Sequence, residues 1–271
     1  MMFELFKRSL TAALMLLFFI VIFFYGNNTI IILTIYTFTV LAFYEWLYMH
    51  AKSIIKVLLF SLILFVIHYL NIFNMYFISL SSIIFWIFLL SFMFFNPDRL
   101  KNILRKNHTL IGFVICTSFF IHLLNLYPST NIFESENNLL DNKIYFLMLI
   151  FFISSIDISA YISGKFFGKY KIVPNISPNK TTEGYLGAYI STLLLFFVFF
   201  YVNQMIWTMT DLFFLNIFIL LAFSGDLFIS FVKRVHKIKD TSNILPGHGG
   251  LLDRLDSYLP SLPLYYIWFM L

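Results

Sequence analysis

Long apolar runs separated by short polar intervals make up most of the chain. A run of about 18 or more apolar residues with few charges can cross a bilayer as a helix. Nine stretches meet or approach that condition, at roughly 9–25, 29–49, 55–71, 74–95, 109–126, 144–163, 185–202, 206–232 and 258–271. The sixth and eighth carry acids, Asp157 and Asp226, and the last is short, with Pro260 and Pro263 near its start. The pattern predicts an all-α polytopic integral membrane protein with about nine transmembrane helices. The first run follows Lys7 and Arg8 but ends in Phe24-Tyr25-Gly26-Asn27-Asn28 without a small-x-small cleavage site. It therefore reads as a retained span and not as a signal peptide.

Composition excludes the alternatives. The chain is 61% hydrophobic and 11% charged, against about 25% charged in soluble domains, so it cannot clothe a water-facing surface. Ten Gly and one Cys exclude fibrous and disulfide-built classes, and Cys116 has no partner in the sequence. The excess of Phe and Ile is what an AT-rich genome encodes, which suggests a bacterial source.

The net charge of +5 is best read through its placement. Lys7 and Arg8 precede the first span. Lys52 and Lys56 follow the second, and Arg99, Lys101, Arg105 and Lys106 follow the fourth. Lys165, Lys169, Lys171 and Lys180 follow the sixth, and Lys233, Arg234, Lys237, Lys239 and Arg254 follow the eighth. Only Lys143 falls in the other set of loops, beside Glu134, Glu136 and Asp141. This positive-inside alternation places the N-terminus in the cytoplasm and the C-terminus outside. No basic patch interleaved with stacking aromatics is present, so nucleic acid is not an expected partner.

Chemistry is unevenly distributed. Residues 1–126 read as about five spans with few polar groups. Glu45, His50, His68 and His122 lie in or beside spans, each expected to pair with another buried group or to sit near the interface, and none stands near a second polar cluster. Residues 127–271 read as a catalytic membrane region of about four spans with two cytoplasmic motif loops.

In the first of these loops, Asp157, Tyr161, Gly164 and Lys165 share one helical face, while Gly164 and Gly168 permit close helix packing. Ser177-Pro178-Asn179-Lys180-Thr181 reads as a turn exposing hydroxyls, backbone N–H groups and an ammonium, which suits phosphate. Its surroundings lack the spacing of a P-loop.

The second cluster is denser. Asp226 is followed by Ser230 at i+4 and by Lys233 and Arg234 at i+7 and i+8. At about 1.5 Å per residue, Asp226 lies about 10 Å below Lys233, where a carboxylate needs a cation, either a lysine or a divalent metal. Downstream run Lys239-Asp240 and Pro246-Gly247-His248-Gly249-Gly250-Leu251-Leu252-Asp253-Arg254-Leu255-Asp256. A helix starting near Gly250 would aim free N–H groups at an anion. Asp253 and Asp256 could join Asp226 around Mg²⁺, a hard cation that takes carboxylate, water and phosphate oxygens. An isolated Asp-Arg-x-Asp would read as an ordinary loop with capping acids. The density of charge in so charge-poor a chain argues for function.

At these residues the chain resembles the phosphatidate cytidylyltransferase (CDP-diacylglycerol synthase) family. The match covers Ser230, Lys233, Arg234, Lys239, Asp240, Pro246-Gly247-His248-Gly249-Gly250, Asp253, Arg254 and Asp256, with the spacing intact. Asp157, Ala160-Tyr161, Gly164, Gly168 and Ser177-Pro178-x-Lys180-Thr181-x-Glu183-Gly184 resemble a second block. Thr182 stands where the family pattern has an aromatic residue, a difference in loop packing and not in chemical groups. The motif-bearing likeness spans about 154–257; the N-terminal half is similar only in being several spans.

The resemblance implies transfer of CMP from CTP to phosphatidate, giving CDP-diacylglycerol and pyrophosphate, with Mg²⁺ and a second cation left open. It implies a site at the cytoplasmic face of a bacterial inner membrane, in contact with bilayer lipid, and a homodimer. Asp226, Asp253 and Asp256 are expected to hold the metal. Lys233, Arg234, Lys239 and Arg254 are expected to contact phosphates, with Asp240 and His248 in the catalytic set; His248 either orients phosphate or donates a structural hydrogen bond. Ser177, Lys180 and the Gly249-Gly250 backbone are expected to cradle phosphate, and Asp157, Tyr161, Thr181, Glu183 and Ser230 complete the substrate-binding set. A CTP-dependent lipid kinase would use similar groups but release CDP, and a polytopic transporter would use Asp157 and Asp226 as an ion path.

Overall fold

The computed structural model describes residues 2–50, 52–70, 74–126, 136–247 and 249–270. The helices are α1 (Met2–Tyr25), α2 (Asn28–Tyr48), α3 (Ile54–Leu70), α4 (Met75–Phe95), α5 (Pro97–Leu126), α6 (Glu136–Phe167), α7 (Thr182–Val202), α8 (Met209–Val235), α9 (Leu252–Leu255) and α10 (Tyr258–Met270). A hairpin of β1 (Lys171–Val173) and β2 (Ser177–Thr181) joins α6 to α7. Each of the nine expected stretches falls on a helix. Among the described residues, α2, α4, α5, Lys143–Phe167 of α6, α7 and α8 are long and apolar enough to cross a membrane, six in all. The protein is an all-α polytopic membrane protein.

Local chemistry sets the helix starts. Asn27 and Asn74 cap α2 and α4, accepting from the N–H groups of Ile30 and Tyr76 at 2.9 and 3.0 Å. Thr181 caps α7, and Thr208 with Asp211 forms a reciprocal capping box on α8. α5 begins well before the expected 109, at Pro97, and bends at Asn107 (φ −115°, ψ 26°). The bend has a local cause. The Trp46 indole N–H donates to the His108 carbonyl at 2.8 Å, and His108 Nε2 donates to the Trp46 carbonyl at 2.7 Å, so a side chain enters the helical ladder. Gly112 makes room for it, because a Cβ there would strike the indole ring.

α10 sits at the centre of the bundle, packed on α4, α5, α6 and α8, with Leu259, Leu262 and Tyr265 buried. α6 and α7 pack closely: a Cβ on Gly184 would come within 2.8 Å of the Ala160 carbonyl and 3.4 Å of Gly164 Cα. The small-residue spacing at Gly164 and Gly168 is thus used within the chain.

Segments rich in Lys and Arg meet at one end. The rings of His50 after α2, His108 at the α5 bend and His236 after α8 lie 4.7–5.3 Å apart. The hairpin corrects one expectation: Ser177–Thr181 is a strand and not an open turn. Its backbone pairs antiparallel with β1, Lys171 opposite Thr181 and Val173 opposite Ser177, and the reversal falls at 174–176.

Candidate active site

A cavity of about 360 Å³ opens where the ends of α6 and α8 meet β2 and α9. Asp157 and Tyr161 reach it from α6, Lys180 from β2, Asp226 and Lys233 from α8, and Asp253, Arg254 and Asp256 from the α9 segment. Thr181 and Asp240 also line it. The structure therefore gathers ten of the expected site residues around one space, although they span a hundred positions of sequence.

Two subsets of acids behave differently. Lys180 is ion-paired with Asp226 and lies 4.8 Å from the centre of the Phe223 ring. Asp226 also accepts, at 3.5 Å, from the Ser230 hydroxyl one turn on, and Asp157 accepts from Ser257 at 3.4 Å. Asp256 is buried and accepts from the Ser257 N–H at 2.8 Å. Burial, followed by the negative charges of Asp226 and Asp157, pushes the Asp256 carboxyl well above the ordinary carboxylate range. Burial works against the Lys180 ammonium, yet Asp226, Asp157 and Asp256 outweigh it and hold Lys180 above its ordinary value.

Asp253 is instead fully engaged. Lys233 Nζ bonds one oxygen at 2.7 Å. The other accepts from the Thr241 N–H, the Thr241 hydroxyl and the Gly250 N–H at 2.9, 3.0 and 3.1 Å. Burial raises this carboxyl, but the Lys233 bond and these N–H donors overcome it and hold it below the usual range.

The residue that sequence reasoning missed is Glu45. Fully buried at the end of α2, it accepts from the Leu251 and Leu252 N–H groups at 2.8 and 2.7 Å. It also accepts from the Ser242 and Thr241 hydroxyls at 2.6 and 3.1 Å. The expectation that Glu45 pairs with buried groups holds, but it does stand beside a polar cluster, the motif loop itself. The expected free N–H groups near Gly250 are occupied, and the anion at this helix start is the protein's own Glu45 carboxylate. Gly250 is required by that approach, since a Cβ would meet the Glu45 oxygens and the Thr241 hydroxyl. Gly249 adopts φ +81°, a left-handed conformation suited to glycine.

Other expected residues lie at the margin. Arg234 donates to the Ile176 and Ile238 carbonyls at 3.4 and 3.2 Å, tying the hairpin to the end of α8. Glu183 accepts from the Lys169 and Tyr170 N–H groups at 3.0 and 3.3 Å, fastening the end of α6 to the start of α7. Lys239 is exposed and, like Ser177, lies outside the cavity lining. His248 lies outside the described residues.

Among the described residues no three His, Cys, Asp or Glu side chains form a ready metal cage. The donor chemistry still fits a hard cation. Asp157, Asp226 and Asp256 crowd around one ammonium, and Mg²⁺ is usually held by one or two carboxylates plus water and substrate phosphate.

A sequence model of the cytidylyltransferase family matches residues 6–271. The chain belongs to the cytidylyltransferase family. It is 40% identical over 158 residues to a Bacillus subtilis phosphatidate cytidylyltransferase, covering 56% of this chain and 52% of that protein. It is 44% identical over 134 residues to the Staphylococcus haemolyticus protein of the same name, covering 47% and 49%. The Haemophilus influenzae protein of that name is 38% identical over 135 residues, covering 46% and 47%. The matched part of this cytidylyltransferase-family chain spans about half the length of these relatives.

Proposed function

We propose that the protein is a phosphatidate cytidylyltransferase. A phosphate oxygen of phosphatidate attacks the α-phosphorus of CTP, the new P–O bond forms as the α–β bridging P–O bond breaks, and pyrophosphate leaves with the electron pair. The products are CDP-diacylglycerol and pyrophosphate. The observation that carries this reading is the cavity at the end of membrane-crossing helices where Lys180, Lys233 and Arg254 converge with the acid cluster.

The chemistry asks little of a general base. A phosphate monoester, with a second pKa of about 6, is already largely dianionic at neutral pH. What remains is positioning and charge neutralisation. Lys180, held charged by its acids, faces the cavity as a fixed cation, and Arg254 stands on its rim. Lys233, fixed by Asp253, adds positive charge without freedom to drift. Asp226 and Asp256 would hold Mg²⁺, which would neutralise phosphate charge when bound. CTP enters from the cytoplasm and the lipid enters laterally. In this reading the basic loops and the cavity face the cytoplasm from a bacterial inner membrane, with the N-terminus inside and the C-terminus outside, as the positive-inside alternation supports. A homodimer remains part of the proposal, by a surface other than the Gly164 stripe.

The test is product analysis with purified protein, CTP and phosphatidate. CDP-diacylglycerol with stoichiometric pyrophosphate is expected. Release of CDP with a phosphorylated lipid would replace the reading by a lipid kinase.

A further inference from the structure

A second cavity, of about 330 Å³, lies between the end of α2, the start of α3 and the bend of α5. Its lining has a distinctive charge: Lys56, Arg105, Lys106, His50 and His108 contribute to it, and no acid does. Among the described residues the ion pairs involve Lys101, Lys180 and Lys233, so Lys56, Arg105 and Lys106 have no carboxylate partner. Lys56 Nζ donates to Thr109 at 3.1 Å, which holds this ammonium at the wall.

Cations that only set topology need no cavity and no buried polar wall. Here His108 is 1% exposed, its Nε2 is committed to the Trp46 carbonyl, and its Nδ1 is buried without a hydrogen-bond partner. The adjoining His236 has a buried Nε2 in the same condition. Burial, then the neighbouring His50 and Arg105, hold His236 below the ordinary imidazole range.

We propose that this cavity binds a phosphate-bearing anion at a site separate from the acid-lined cavity. Arg105 and the two lysines supply the charge and the guanidinium fork suited to phosphate. An anion beside His108 would favour ring protonation and convert Nδ1 from an orphaned acceptor to a donor. Two sources share this chemistry, a soluble phosphate and the headgroup of an anionic lipid in the same leaflet. The His236 ring lies 5.3 and 4.7 Å from the rings of His50 and His108 in the cavity wall, so it would report on the occupant.

The test follows the histidine ring ¹⁵N resonances of the full chain in phosphatidylcholine nanodiscs. One arm adds inorganic phosphate, and the other replaces part of the lipid by phosphatidylglycerol. Shifts at His50, His108 and His236 in either arm are expected. The triple variant Lys56→Gln, Arg105→Gln, Lys106→Gln should weaken the response at least about tenfold, equivalent to about 1.4 kcal/mol. His122, bonded to Ser79 and Ser118 in the bundle interior, should not move and so reports folding. If His122 moves in the triple variant, Arg105→Gln alone takes its place. A response to inorganic phosphate identifies a free anion, and a response only to phosphatidylglycerol identifies a headgroup. No shift in either arm, or a shift that persists in the folded variant, overturns the proposal.

Discussion

Two groups of acids meet around residues 241–257, each with one member, Asp253 or Asp256, in the same short motif, and their surroundings divide the work between them. Glu45 and Asp253 are saturated with donors, and together they hold Thr241, Ser242, Gly250, Leu251 and Leu252 in place. Asp157, Asp226 and Asp256 are crowded instead, with Lys180 as their close cation. The first group spends its charge on the fold. The second lines an open cavity, with Asp226 ion-paired to Lys180 and the Asp256 carboxyl held above the ordinary carboxylate range. Residue type alone does not separate the groups, since Asp253 and Asp256 stand three positions apart.

The largest expected effect comes from breaking the crowded group. Asp226→Asn should lower cytidylyl transfer about 1000-fold, the scale for removing a central charge-stabilising group. Loss of the Lys180 pair is offset in part by relief of repulsion with Asp256, and the thermal midpoint checks that the variant is folded. Undiminished turnover in a folded variant would remove Asp226 from the chemistry.

Breaking the saturated group should act first on stability. Glu45→Ala strands the N–H groups of Leu251 and Leu252 and the Ser242 hydroxyl in a buried place, while the Thr241 hydroxyl keeps Asp253 as its acceptor. The expected loss is about 4 kcal/mol, read as a fall of about 8–16 °C in the thermal midpoint in detergent. Glu45→Gln should recover part of that loss and part of the activity, because one carbonyl oxygen still accepts. Full activity with an unchanged midpoint in Glu45→Ala would refute the anchoring role.

The same division separates features that are local in sequence from those that are not. Apolar runs are local signals, so all nine expected stretches fall on helices, and the i, i+4 pair Asp226–Ser230 forms as its spacing implies. α5 was longer than expected because its first turns are polar, and hydropathy alone does not register a polar helix. The hairpin reads as a turn in the sequence because its strands, of three and five residues, are too short for a period-2 pattern. Glu45 was missed because its partners lie 196–207 positions away, and no periodicity reports such a pairing. The resemblance implies a metal role for Asp253, and its oxygens are engaged by Lys233, Thr241 and Gly250, contacts that no spacing in the sequence reports.

The smallest expected effect is the sharpest test of the comparison, because it predicts opposite signs. Asp253 has a folded pKa below its unfolded value. Its stabilisation is therefore present above the unfolded carboxyl pKa of about 4 and is lost as pH falls through the folded value. Asp256 has a folded pKa raised above its unfolded value. Its favourable contribution is complete below about pH 4 and declines as pH rises through the folded value. At neutral pH, Asp253→Asn should destabilise by about 3 kcal/mol, the scale for breaking a buried pair. Asp256→Asn should stabilise by about 1 kcal/mol, the scale for relieving an unfavourable charge, while transfer activity falls. Thermal midpoints measured from about pH 4 to pH 7 should diverge, with the Asp253→Asn deficit widening toward neutrality and the Asp256→Asn advantage growing. Shifts of the same sign would mean that the two acids share one role.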